Sequence, residues 1–113
     1  MARIVVIEDE ADQAELYRMA LEGAGHEVVL LDDLRNVGGD VHAVILDERL
    51  GGRSGSALIP GIRGSWPGAR ILILTADPDV AESAVEKGAD EGRMKPIRLS
   101  QLVAGVEALL ARR

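Results

Sequence analysis

The sequence predicts an α/β fold: a doubly wound, five-stranded parallel sheet with helices on both faces. Two observations carry this. Four short runs, RIVVI (3–7), EVVLL (27–31), HAVIL (42–46) and RILIL (70–74), are rich in Val, Ile and Leu and nearly continuous rather than alternating. That is the pattern of parallel strands covered on both faces. Segments with helical spacing or helix-ending residues lie between the runs, and strict alternation of the two element types builds a parallel sheet.

The elements follow in order. After the first strand, Ala14, Tyr17, Leu21 and Ala24 form one stripe of a helix over 11–24, and Gly25 stops it. The second strand leads into DDLRNVGGD (32–40), with room for about one helical turn before its two glycines. The third strand ends at Asp47. Over 56–64, Pro60, Gly61 and Gly64 oppose a helix, so a short or kinked one is expected. After the fourth strand, Asp77 is placed to cap a helix over 77–88, with Pro78 at its first position and Gly88 to end it. A weaker fifth strand at 92–94 is too charged to be central and suits an edge. The last helix, 100–113, repeats Leu102, Val103, Val106, Leu109 and Leu110, with Arg112 and Arg113 favourable at its C-terminal dipole.

The 113 residues make one domain, 1–113, and 47% of them are hydrophobic, enough for a single core. Phe is absent and Tyr17 and Trp66 are the only aromatics, so the core is aliphatic, with Trp66 covering the lower edge of the sheet. Without cysteine there is no disulfide and no thiolate metal site. The N-terminus runs straight into a strand and then acids, unlike a signal peptide, and no apolar run approaches the ~20 residues that span a bilayer. The expectation is a soluble cytoplasmic protein that contacts no membrane. The net charge of −6 is uneven: residues 1–50 hold 12 Asp/Glu against 4 Lys/Arg, and residues 51–113 hold 7 against 9. No basic stripe with interleaved aromatics exists, so no direct nucleic-acid contact is expected.

Ligands of such sheets sit outside the carboxyl ends of the strands. There the sequence puts Glu8, Asp9 and Glu10 after the first strand, Asp47 after the third, Thr75 after the fourth and Lys95 after the fifth. A few carboxylates suit a hard cation such as Mg²⁺ that keeps waters and phosphoryl oxygens as its other ligands. Lysine and a hydroxyl complement those oxygens, and a carboxylate so placed is a candidate nucleophile. Glu10 and Asp12 read as first-turn helix acids, and His26 and His42, at strand entrances, as surface or packing groups. The run GGRSGSA (51–57) lacks the Lys-Ser/Thr pair of a phosphate-binding P-loop.

These residues resemble the receiver domains of two-component response regulators, over essentially the whole chain. The acidic pair is Glu8 and Asp9 in IEDE, the phosphoacceptor segment is LDERLGGRSG with Asp47, the hydroxyl is Thr75 in LTA, and MKP holds Lys95 and Pro96. The resemblance implies the flavodoxin-like strand order 2-1-3-4-5. It implies Mg²⁺ held by Glu8, Asp9, Asp47 and the backbone carbonyl of Arg49. It also implies a phosphoryl group passed to Asp47 from a histidine kinase or phosphotransfer protein, phosphoryl oxygens bound by Thr75 and Lys95, and a cis Lys95–Pro96 peptide. Such a chain changes conformation to alter partner binding. A downstream protein or second copy would be met through the helix after the fourth strand, the fifth strand and the last helix. It modifies itself rather than turning over a substrate, and no effector domain is expected here.

Four departures stand out. The first acid is Glu where Asp is commoner. Gly51 stands where the family usually has Pro, implying a looser loop. Gly92 occupies the position of the aromatic switch residue, with Arg93 replacing an apolar neighbour. Arg49 and Asp77, two residues past Asp47 and Thr75, are expected to flank the mouth of the site, pair and modulate the lifetime of the acyl phosphate. Gly92 keeps a second class open, an interaction module of the same fold that does not switch. A third class, an aspartyl phosphatase or flavin protein, is opposed by Arg49 in place of a second catalytic Asp and by the lack of aromatics.

Overall fold

A computed structural model of the chain describes residues 1–112. It contains the strands β1 (Arg3–Ile7), β2 (Glu27–Leu31), β3 (Ala43–Asp47), β4 (Arg49–Leu50), β5 (Arg53–Ser54), β6 (Arg70–Thr75) and β7 (Glu91–Met94). Its helices are α1 (Ala11–Gly23), α2 (Ile59–Ser65), α3 (Pro78–Ser83) and α4 (Leu99–Leu110), with a 3-10 helix at Gly55–Leu58 leading into α2. The main sheet has the order β2-β1-β3-β6-β7 and is parallel throughout. With the short β4–β5 hairpin standing apart, this is the expected order 2-1-3-4-5, and the charged strand β7 is an edge.

Alternation along the strands divides the core in two. Ile4, Val6, Ile45, Leu72 and Leu74 face Tyr17 and Leu21 of α1 and Leu102, Val106 and Leu109 of α4. Val5, Ile7, Val44, Leu46, Ile71 and Ile73 face Ile59 and Ile62 of α2, together with Trp66 and Ala84. Each fully buried Leu or Ile contributes about 1.5–3 kcal/mol, so an aliphatic core of this extent needs no phenylalanine. Both histidines hold the start of the first strand. His26 and His42 each accept, through Nδ1, a backbone N–H at the start of β1, from Ala2 at 3.1 Å and Arg3 at 2.9 Å. No helix among the described residues is long and apolar enough to cross a membrane.

Three elements differ from the sequence expectation. No helical turn forms in 32–40. The segment is irregular, with Arg3 donating to the Gly38 carbonyl and Leu34 and Val37 packed against the core. Gly38 and Gly39 take φ of 67° and 71°, which a right-handed helix cannot use. The helix expected over 77–88 ends as regular α-helix at Ser83. Bonds of three-residue spacing follow, Ala84 N–H to Ala81 O and Gly88 N–H to Val85 O, until Gly88 at φ 106° turns the chain toward β7. The last helix closes at Leu110. Beyond it the Arg112 carbonyl accepts from the Arg70 guanidinium at 2.9 Å, and Arg113 lies outside the described residues.

Candidate functional site

The parallel register delivers five side chains to one edge of the sheet. Glu8 extends β1, its N–H bonded to Leu31 O at 2.9 Å, and its side chain is 2% exposed. Asp9 follows in the open. Asp47 is the last residue of β3, opposite Leu74, and Thr75 ends β6. Lys95 follows β7 with its N–H on Thr75 O at 2.7 Å, and the Lys95–Pro96 peptide is cis. Glu8, Asp9 and Asp47 each turn a carboxylate oxygen to one place, all within 4.8 Å of one another. Lys95 Nζ lies 2.8 Å from Asp47 Oδ1 and 3.6 Å from Glu8 Oε1.

The electrostatics are unbalanced. Both Glu8 carboxylate oxygens are buried without a hydrogen-bond donor. Burial first, and then the Asp47 carboxylate beside it, push the Glu8 carboxyl up to about 8, against the pull of Lys95. Burial alone would lower the Lys95 pKa, but the ion pair with Asp47, and then Glu8, hold it above its ordinary value. One ammonium therefore faces three acidic groups, of which Glu8 holds its proton most tightly, and no protein donor reaches either Glu8 oxygen. A hard divalent cation fits this all-oxygen set by its charge and by the orphaned Glu8 oxygens.

The loop after Asp47 is ordered by glycines. Arg49 pairs with Ser54 and Leu50 with Arg53, joined by Gly51 and Gly52 at φ 51° and 89°. Two central residues of positive φ make the hairpin turn that matches strand twist. This corrects the expectation of a looser loop: without proline the chain closes into a hairpin. Gly55 is equally constrained, since a Cβ there would fall 2.0 Å from the Asp47 carbonyl oxygen. Across the opening, Arg49, Thr75, Asp77 and Lys95 line a cleft of about 760 Å³. Arg49 and Asp77 thus share the mouth, but no ion pair joins them among the described residues. Asp77 instead caps α3, its Oδ1 accepting from Asp79 N–H at 2.9 Å, and its own N–H donates to Thr75 Oγ1 at 3.0 Å.

Sequence reasoning missed Glu48. Its Oε1 accepts from Ser56 N–H at 2.7 Å, and its Oε2 accepts from the hydroxyls of Ser54 at 3.0 Å and Ser56 at 3.3 Å. The signal was available as serines six and eight positions beyond an acid that adjoins Asp47. Gly92 is where expected on β7, with no side chain to turn.

A family model described as the response regulator receiver domain matches residues 4–107. The transcriptional regulatory protein TcrA of Mycobacterium tuberculosis is 35% identical over 117 residues, covering 97% of this chain and 46% of its own. The DNA-binding response regulator MtrA of Mycobacterium leprae is 34% identical over 119 residues, covering 97% and 52%. The chain thus spans about half the length of the curated relatives it matches. Among solved structures, a BeF3-activated DrrB receiver domain superposes with a TM-score of 0.86 at 26% identity, covering 99% of each chain. A Burkholderia pseudomallei response regulator described with a phosphorylated aspartic acid, calcium ion and citrate gives 0.82 at 27%, covering 98% of this chain and 69% of that one.

Proposed function

Since the chain belongs to the response regulator receiver domain family, we propose that it is a phosphoacceptor of two-component signalling, with Asp47 as the residue modified and Mg²⁺ as its cofactor. A histidine kinase or phosphotransfer protein is the donor, in the cytoplasm. The observation that carries this is the pairing of Lys95 with Asp47 at 2.8 Å beside a Glu8 carboxylate that has no protein donor.

Glu8, Asp9, Asp47 and the Arg49 backbone carbonyl would hold the cation. When bound, Mg²⁺ offsets the repulsion between a phosphoryl group and three carboxylates. An Asp47 oxygen attacks phosphorus, the bond from phosphorus to the donor imidazole nitrogen breaks, and the imidazole leaves with that electron pair. The product on this chain is an acyl phosphate. Lys95 holds Asp47 in place before transfer and a phosphoryl oxygen after it, and the Thr75 hydroxyl donates to another. Water attack at phosphorus then regenerates Asp47 and releases phosphate, so the chain is a substrate of its own chemistry rather than a turnover enzyme.

The output surface is the face of α3, β7 and α4, where a downstream protein or a second copy binds; Met94 is 42% exposed beside it. Gly92 favours a second reading, a receiver-fold interaction module that does not switch. Treatment with acetyl phosphate and Mg²⁺ tests the first. Intact mass gains one phosphoryl group in the native chain and none in Asp47→Asn or in EDTA. Equal labelling in EDTA would sink the assignment, and labelling without any change in amide NMR spectra would favour the second reading.

A further inference from the structure

The loop that carries the Arg49 carbonyl is bound to its own base by backbone hydrogen bonds and by one side chain. Glu48 N–H continues the β3–β6 ladder to Leu74 O at 3.0 Å, and Glu48 O accepts Gly55 N–H at 2.6 Å, so the chain leaves and returns at the same residue. Between those points it makes the β4–β5 hairpin. The Glu48 carboxylate then reaches across to three donors: the Ser56 amide, the Ser54 hydroxyl and the Ser56 hydroxyl. The Ser54 and Ser56 hydroxyls also lie 2.7 Å apart; with one hydrogen each, they share two donations among the carboxylate and each other. Both oxygens of Glu48 are therefore engaged within the loop, and Glu48 is not among the three acids that converge at the site. Its charge is spent on geometry.

We propose that Glu48 is a positioning residue for the cation site: its carboxylate, clamped by Ser54 and Ser56, fixes the 48–56 loop so that the Arg49 carbonyl is already in place when the metal arrives. This rests on the phosphoacceptor reading above. Mg²⁺ sheds water reluctantly and accepts few protein ligands, so a carbonyl on a wandering loop contributes little affinity. A carbonyl held on a loop tied by these hydrogen bonds has had its ordering cost met on folding. The amide and hydroxyl donors act on one carboxylate, so removing the acid leaves the backbone bond from Gly55 N–H to Glu48 O as the tie at the hairpin's base. Removing the hydroxyls leaves only the amide bond.

The test is Mg²⁺ titration of the unphosphorylated chain followed by amide NMR, with hydrogen exchange at Ser56 measured in the metal-free state. Glu48→Ala should speed exchange at Ser56 and weaken Mg²⁺ by about 10-fold, the lower end of what loss of a ligand-orienting partner costs. Glu48→Gln keeps an oxygen for the Ser56 amide and should stay near the native affinity. Ser54→Ala/Ser56→Ala should fall between the two, and carries the test if Glu48→Ala does not fold. Phosphorylation from acetyl phosphate should drop in Glu48→Ala at low Mg²⁺ and recover at saturation. An unchanged affinity in Glu48→Ala would overturn the proposal while leaving the phosphoacceptor reading intact. So would equal weakening in Glu48→Gln with none in the double serine variant, because charge at a distance would then explain the effect. A native chain that binds no Mg²⁺ would take down both.

Discussion

Gly92 on β7 lies directly beneath Ala81 of α3: a Cβ built at Gly92 would fall 2.5 Å from the Ala81 carbonyl oxygen and 2.7 Å from the Ala84 Cβ. The glycine does not leave a hole where receivers usually carry an aromatic. It lets the helix settle onto the strand, and Ala84 is fully buried there. Restoring a side chain should therefore push α3 outward. Gly92→Ala is expected to cost about 1–3 kcal/mol, as overpacking does, read as a lower urea midpoint with an unchanged m-value. Gly92→Tyr should cost more. A neutral Gly92→Ala would mean that α3 yields freely.

Mg²⁺ binding should depend on pH through Glu8. Its carboxyl titrates at about 8 in the metal-free fold, so the cation must displace a proton below that value. Apparent affinity is expected to rise with pH, by up to about tenfold per unit, and to level off above 8. Stability of the metal-free chain runs the other way. A carboxyl raised by folding binds its proton more tightly when folded, so its penalty is absent below the unfolded value of 4.5 and grows as pH rises toward 8. Glu8→Gln should match the native chain at pH 4.5 and exceed it in stability at pH 8.5 without metal. Urea melts at the two values check this, and equal differences at both would refute it.

At the opposite end of the sheet, Asp90 ties three elements together. Its Oδ2 accepts Ile71 N–H at 2.7 Å and Arg63 Nη2 at 2.9 Å, and Arg70 approaches Oδ1 at 3.6 Å. Burial alone would raise its pKa, but the Ile71 amide and Arg63 bring it below the ordinary carboxylate value. Stability from this group is present above the unfolded value of 3.8 and lost as pH falls through the folded one. Asp90→Ala is expected to cost about 1.5–3 kcal/mol at neutral pH, the range for hydrogen bonds to a charged group. The cost should shrink in acid. A flat difference from pH 7 to 3 would show that the charge is irrelevant.

The parallel strands, both helical layers and the strand-end residues were legible because burial on two faces leaves a continuous apolar run, and each run stops where its polar residue begins; the strand order came with the resemblance to receiver domains. Glu8, Asp47, Thr75 and Lys95 needed only that all five strands point one way. What stayed hidden depended on contacts between distant segments. Asp77 was read as both cap and ion-pair partner, and local capping won because its own helix supplies a donor two residues away. The segment 32–40 has two apolar side chains, Leu34 and Val37, that reach the core from irregular chain, which no periodicity reports. Gly92 looked like a gap in the sequence and is a contact in the structure, since its neighbour across space is backbone of α3.

The hairpin after Asp47 makes a prediction from φ alone. Gly51 sits at 51°, and a Cβ there would lie 3.3 Å from Asp9 Oδ2. Proline is locked near −65° and cannot take this conformation. Placing in Gly51→Pro the residue usual in receivers should therefore break the β4–β5 pairing rather than stiffen it. Expected is a loss of stability exceeding the ~1 kcal/mol that a compatible proline would add, with weaker Mg²⁺ binding. A more stable Gly51→Pro chain would show that the loop tolerates the usual conformation at no cost.

Signal output should leave the site through α3. The Asp77 N–H is bonded to Thr75 Oγ1, and Asp77 in turn caps α3 through the Asp79 amide. Any move of the Thr75 hydroxyl toward a phosphoryl group therefore breaks or strains the bond that holds the cap residue of that helix. In the usual receiver an aromatic fills the space behind the threonine, but at Gly92 nothing can turn. The helix itself must shift against β7, and its short α-helical stretch of six residues followed by tight turns offers little to resist. Beryllofluoride with Mg²⁺, a mimic of the phosphoryl group, is expected to move amide signals of residues 75–83 most, with 91–94 following by contact. Gly92→Ala, by loosening α3 in advance, should shift part of the same signals without the mimic. Silence across 75–83, with large changes confined to 91–94, would mean that the message travels along the edge strand instead.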